Sequence, residues 1–142
     1  MKFNLEKNIL NHITVQHGGI YSTNMKLDPK IVDFSSNVNP LGFPYSVKNV
    51  IKKNISLLSV YPDPNSSKLK DNLEKYIGIP KRQIVIGNGA TEIIYNFCKV
   101  FIRKNNRVII PIPTFGEYEA AALLQGGRIS YLKTMNLNEK IP

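Results

Sequence analysis

Val85-Ile86-Gly87-Asn88-Gly89-Ala90-Thr91-Glu92-Ile93-Ile94 decides how the rest of the chain is read. A short apolar run ends at a glycine pair, and a helix-like pattern follows at once. That order describes a strand feeding a tight turn, with the first amides of a helix pointing outward. Exposed N–H groups and the positive end of the helix dipole make such a turn a seat for an anion, phosphate above all. Four readings compete here. A dinucleotide fingerprint wants glycine or alanine where Glu92 stands. A P-loop wants Gly-Lys-Ser/Thr at its end, and none is present. The remaining two are a simple phosphate cup, with the amides of Ala90 and Thr91 and the Thr91 hydroxyl as donors, and a turn that only needs glycine conformations.

Downstream, the pattern alternates. Residues 83–86 are predicted as a strand, and 90–104 as a helix burying Ile93, Ile94, Phe97, Val100 and Phe101. Residues 108–111 form a continuously apolar second strand, as expected of one covered on both faces. Thr114-Phe115-Gly116-Glu117 has the spacing of a capping box, opening a helix that runs to Gln125 and stops at Gly126-Gly127. Residues 128–132 are a third strand. This β-α-β-α-β order predicts an α/β fold with a parallel sheet, its ligands outside the carboxyl ends of the strands. The two loops there are 87–90 and 111–115.

Upstream, residues 46–58 are predicted helical with Val47, Val50, Ile51, Ile55 and Leu58 on one buried face. A second helix, 67–77, buries Leu69, Leu73, Tyr76 and Ile77 and ends at Gly78 and Pro80. Tyr61-Pro62-Asp63-Pro64 between them is a rigid turn. Residues 5–12 carry a weak helical pattern, and 13–45 read as an extended arm broken by Gly18-Gly19, Asn39-Pro40 and Gly42. A long arm without regular structure is often functional.

The chain has 142 residues, enough for one domain with a core, and 42% of them are hydrophobic against 20% charged. That composition is globular, and no apolar run reaches membrane-spanning length. The N-terminus lacks the pattern of a signal peptide, and the lone Cys98 forms no internal disulfide, so a cytoplasmic setting is expected. The net charge of +9 invites a nucleic-acid partner, but the basic residues are scattered and no aromatic interleaving accompanies them. Neither a nucleic-acid nor a membrane partner is expected.

Four segments together carry a resemblance. Asp33-Phe34-Ser35-Ser36-Asn37-Val38-Asn39-Pro40-Leu41-Gly42, Tyr61-Pro62-Asp63-Pro64, Gly87-Asn88-Gly89-Ala90-Thr91-Glu92 and Pro113-Thr114-Phe115-Gly116-Glu117-Tyr118 resemble, in order, the N-terminal part of class I/II aminotransferases. These are pyridoxal 5'-phosphate (PLP) enzymes of fold type I. With His17-Gly18-Gly19 ahead, the pattern looks most like the threonine-phosphate decarboxylases of cobalamin biosynthesis, with the histidinol-phosphate aminotransferases of histidine biosynthesis as the alternative. A second alternative, from another class, is a non-catalytic phosphate- or nucleotide-binding α/β module.

The resemblance implies an N-terminal arm over 1–45, a small-domain helical segment and connection over 46–82, and the incomplete start of the cofactor-binding large domain over 83–142. It implies that Gly89, Ala90 and Thr91 hold the cofactor phosphate, that Phe115 stacks on the pyridine ring, and that Tyr61 reaches the phosphate of a second subunit in a homodimer. His17, Asn37, Asn39 and Gly42 would contact a phosphorylated substrate. Blander roles compete: Tyr61 packed on its prolines, the asparagines forming turns, His17 simply exposed. In this family the lysine that links the cofactor, the carboxylate for the ring nitrogen and an arginine of the phosphate site all lie downstream of the Pro-Thr-Phe motif. Ser66-Ser67-Lys68 is out of place for that lysine, and Lys68 reads as solvated. No catalytic residue is expected in this chain. It is expected to be the N-terminal part of an enzyme, inactive and aggregation-prone alone.

Overall fold

A computed structural model describes residues 6–12, 14–19 and 30–134. The described elements are the helices α1 (Lys7–Leu10), α2 (Tyr45–Lys53), α3 (Ser67–Ile77), α4 (Ala90–Phe101) and α5 (Glu117–Leu124), and the strands β1 (Arg107–Ile112) and β2 (Arg128–Lys133). Short 3-10 turns cover Ile55–Ser59 and Lys81–Gln83. The chain divides into two compact units, one of residues 16–84 and one of residues 1–15 with 85–142. Parts of the 5–12 and 13–45 expectations fall outside the described residues.

In the second unit, β1 and β2 pair in parallel, Arg107 opposite Arg128 and Ile112 opposite Lys133, with α5 as the crossover between them. α5 stops where Gly126 takes φ 76, a conformation that favours glycine, and donates its amide to the Leu123 carbonyl. The amide of Gly127 follows onto Ala122, completing the turn into β2. Gly127 is buried, and a Cβ there would lie 3.0 Å from the Ala122 carbonyl oxygen and 3.3 Å from Ile102. Glycine therefore lets the helix end close onto the sheet. The core is small: Cys98 of α4 with Ala121 and Ala122 of α5, packed by Ile94, Tyr95, Ile102, Val108 and Ile129. Alanines there let α4 and α5 approach closely.

Several expectations need correction. Residues 84–86 do not form a strand: Lys81–Gln83 is a 3-10 turn, and Ile84 is extended at φ −104, ψ 122. The sequence has the backbone shape of a strand, but no other strand lies beside it among the described residues, so it has no ladder. β1 is covered on one face, not two. Ile110 is buried and Val108 half-buried, whereas Ile109 on the opposite face is 65% exposed. α4 ends at Phe101, and it turns Ile94, Tyr95 and Cys98 inward. Phe97, Val100 and Phe101 remain exposed, with the Phe97 and Phe101 rings 4.6 Å apart. The predicted face of α4 was thus partly wrong, because small partners on α5 select Cys98 and its neighbours.

In the unit of residues 16–84, α3 has the predicted bounds. The other predicted helix is interrupted: α2 stops at Lys53, where Asn54 turns its side-chain amide back onto the Val50 carbonyl at 2.8 Å. The apolar faces expected to be buried are not. Val50, Ile51, Ile55 and Leu58 are exposed, as are Leu69, Tyr76 and Ile77, and none of the described helices of this unit holds a buried residue. The amphipathic pattern is present, but no described layer covers it.

Candidate functional site

The glycine turn enters α4 as the sequence suggests. Gly89 is the N-cap, at φ 86 and ψ 172, a region essentially restricted to glycine. It supplies no side chain to cap the helix, and nothing lies within 4 Å of where its Cβ would be. The first-turn amides, those of Ala90 and Thr91 among them, have no intrahelical acceptor. Ala90 is exposed and Thr91 half-buried, and the Thr91 hydroxyl has no hydrogen-bond partner among the described residues. The result is an open set of donors at the positive end of a twelve-residue helix.

Glu92 shapes this cup from behind. Its carboxylate accepts hydrogen bonds from the Asn88 backbone amide and, at 2.9 Å, from the Asn88 side-chain amide. The backbone hydrogen bond, followed by the side-chain one, holds the Glu92 carboxyl below its usual range. The Asn88 amide is thereby withdrawn from the cup, and the donors begin at the glycine. Gly87 packs beneath: a Cβ there would sit 2.8 Å from Cδ1 of Ile93.

Phe115 precedes α5 and is 40% exposed, its ring edge-on to Tyr118 with centroids 6.1 Å apart. The predicted capping box does not form. α5 begins at Glu117 with Gly116 as N-cap, and no side chain caps it. Glu117 points inward instead, 5% exposed, and accepts a 2.9 Å hydrogen bond from the Tyr95 hydroxyl. Burial first, then this carboxylate, raises the Tyr95 pKa. The His12 ring stands edge-on to Tyr95 at 6.3 Å, and Val15 covers Gly116, whose Cβ would lie 3.0 Å from a Val15 methyl. Gly89, Ala90, Thr91 and Phe115 therefore share one unit. Their two loops are linked through Tyr95, which no sequence motif marks, and Glu117, which the sequence marks only as a capping residue. They are 22 positions apart, and only the β1–α5 crossover makes them neighbours.

His17, Asn37, Asn39, Gly42 and Tyr61 lie in the other unit. There the His17-Gly18-Gly19 segment meets Ser35. The Gly19 amide donates to the Ser35 hydroxyl at 2.7 Å, and a Cβ on Gly18 would fall 1.8 Å from the Ser35 carbonyl oxygen. His17 is exposed. Asp33 organises the segment by accepting from the Ser35 hydroxyl, the Ser35 amide and the Ser36 hydroxyl, which together lower its pKa. Asn39 forms a turn: its side chain accepts from the Leu41 amide and donates to the Gly42 carbonyl, and Gly42 takes φ 74. Asn37 is exposed with no hydrogen bond among the described residues. Tyr61 is 88% exposed beside Asp63, which caps α3 by accepting from the Ser67 amide at 2.7 Å. Lys68 is exposed in the first turn of α3. Among the described residues there is no helix long and apolar enough to cross a membrane, and no cluster of three His, Cys, Asp or Glu that could hold a metal.

Comparison with known proteins adds a family and a fold. The aminotransferase class I and II family matches residues 29–139. A histidinol-phosphate aminotransferase of Methanococcus aeolicus is 39% identical over 112 residues, 78% of this chain and 30% of that protein. A putative threonine-phosphate decarboxylase of Caldanaerobacter subterraneus is 43% identical over 98 residues, 69% of this chain and 26% of that protein. The chain thus spans about 30% of the length of the curated relatives it matches. Among solved structures, histidinol-phosphate aminotransferase from Sinorhizobium meliloti in complex with pyridoxal-5'-phosphate superposes with a TM-score of 0.79 at 18% identity. That match covers 96% of this chain and 36% of the other. L-threonine-O-3-phosphate decarboxylase from Porphyromonas gingivalis gives 0.59 at 24% identity, over 64% and 29% of the two chains. At these identities the structural likeness is one of fold.

Proposed function

Because the chain belongs to the aminotransferase class I and II family and shares part of its fold type I architecture, we propose that its glycine turn seats the phosphate of PLP. The observation that carries this reading is the N-terminus of α4, where Gly89 leaves the amides of Ala90 and Thr91 and the Thr91 hydroxyl open. These donors fit a phosphate in charge and in hydrogen-bonding sense. The partly exposed face of Phe115, held by Tyr118, fits an aromatic ring. When bound, PLP supplies the electron sink for reactions at an amine-bearing carbon. The chain's own residues contribute binding and orientation. Ala90 and Thr91 anchor the phosphate, Phe115 limits the tilt of the ring, and Glu92 keeps the turn in shape.

The complete enzyme acts on an amino acid or amino alcohol carrying a phosphate, and threonine phosphate decarboxylation is the first reading. The approach of His17-Gly18-Gly19 to Ser35 supports it by placing the arm motif against the Asp33–Gly42 segment. His17, Asn37, Asn39 and Gly42 then serve the substrate, Asn39 and Gly42 by fixing a turn. Tyr61, exposed in this chain, reaches the cofactor phosphate of a second subunit in a homodimer. Histidinol phosphate transamination is the second reading, favoured by the longer alignment with the Methanococcus protein. The test is titration of the complete enzyme with pyridoxal phosphate, followed by visible absorption. Thr91→Val and Phe115→Leu should each weaken binding. Failure of the wild type to bind would refute the cofactor assignment. Carbon dioxide release from threonine phosphate, against amino-group transfer from histidinol phosphate, separates the two substrate readings.

A further inference from the structure

The hydrogen-bonded pair of half-buried Tyr95 and buried Glu117 joins the two elements of the proposed cofactor seat without being part of either donor set. Tyr95 stands four residues beyond Thr91 in α4, one helical turn and about 6 Å along the axis from the cup. Glu117 is the first residue of α5, two residues after Phe115. The 2.9 Å hydrogen bond between them joins the helix that carries the cup to the loop that carries the ring contact. Aromatic contacts flank the bond on both sides. His12 stands edge-on to the Tyr95 ring, with centroids 6.3 Å apart. On the other side, Tyr118 follows Glu117 and meets the Phe115 ring at 88°.

We propose that Tyr95 and Glu117 are positioning residues that set the spacing between the phosphate cup of Ala90 and Thr91 and the ring face of Phe115. The inference rests on the cofactor reading given above. Its physical basis is that a ligand gripped at two points binds tightly only when their separation matches its own rigid length. A buried carboxylate costs desolvation that an apolar side chain in the same place would avoid. What it provides in return is direction. A hydrogen bond fixes distance and angle, whereas apolar packing such as that of the alanines on Cys98 is non-directional.

The test uses the complete enzyme and two probes. Pyridoxamine phosphate, which carries both phosphate and ring, is followed by its fluorescence, and inorganic phosphate, which needs only the cup, is followed by competition. Tyr95→Phe should weaken pyridoxamine phosphate about tenfold, the scale of one hydrogen bond to a charged group, and leave the inhibition constant of phosphate unchanged. A merely destabilising substitution would weaken both together, and that result, or no change in either, overturns the proposal. Glu117→Gln keeps an acceptor for the tyrosine and should remain near wild type, whereas Glu117→Ala should behave as Tyr95→Phe. Equal behaviour of the Gln and Ala variants also overturns it, and this pair decides the matter if Tyr95→Phe fails to fold. A wild-type enzyme that binds phosphate but not pyridoxamine phosphate would instead sink the cofactor reading itself.

Discussion

Gly89→Ala is the substitution whose effect the backbone defines best. Gly89 sits at φ 86, ψ 172, and nothing lies within 4 Å of the Cβ that alanine would add. The methyl group therefore meets no clash, and its whole cost is conformational. Holding an L-residue in that region costs on the order of 1–3 kcal/mol. The chain either bears this strain or relaxes the turn and loses the alignment of the Ala90 and Thr91 amides. If the strain is borne, folding stability falls by that amount; if the turn relaxes, phosphate should bind up to about 5- to 150-fold more weakly in the complete enzyme, the strain converted at about 1.4 kcal/mol per tenfold. Calorimetric titration with inorganic phosphate and with pyridoxamine phosphate measures this directly. Gly87→Ala is the internal control. There the added Cβ would fall 2.8 Å from the Cδ1 end of Ile93, a methyl that can swing aside, and φ does not demand glycine. Its loss should be clearly smaller. Wild-type affinity and stability in Gly89→Ala, or a larger loss in Gly87→Ala, would refute the account of the turn.

Three further outcomes concern Glu92, Gly18 and Cys98. Because the two Asn88 donors depress the Glu92 pKa, its contribution is full above the ordinary glutamate range and fades as the pH falls through the lowered folded value. Carboxyl-carbon NMR should find Glu92 titrating below a free glutamate, and a normal or raised midpoint would contradict the Asn88 contacts. Gly18→Ala would drive a methyl into the Ser35 carbonyl, so the arm should detach and residues around Ser35 should lose hydrogen-exchange protection. Unchanged protection would show that the approach is not maintained in solution. Cys98 is 6% exposed with its thiol pKa pushed up by burial, so it should react with a disulfide reagent only after denaturant is added. Prompt reaction in native buffer would mean that α4 and α5 separate readily.

Local signals in the sequence located what local physics controls. The bounds of α3, the glycine turn, and the end of α5 at Gly126-Gly127 were all legible, since each rests on conformational limits of glycine and proline. Long-range partners were not legible. Residues 84–86 have the composition of a strand but no neighbouring strand among the described residues. The apolar stripe of α2 predicts burial, yet Val50 and Ile51 remain exposed because coverage depends on another layer. Thr114 and Glu117 have the spacing of a capping box, and Tyr95 competes successfully for the carboxylate. A glutamate flanked by Phe115 and Tyr118 and followed by three alanines was the available hint that it faces inward.

The parallel pairing of β1 with β2 also has a consequence in time. The two strands are parallel and joined by one crossover helix, so the chain must close a loop of about twenty residues before any rung of the ladder contributes. During synthesis this βαβ unit can close as soon as Lys133 has emerged, with Ala121 and Ala122 seated on Cys98. Residues 84–86 are made earlier and have no strand to join among the described residues. The phosphate turn is therefore made before the crossover that its helix packs against is complete.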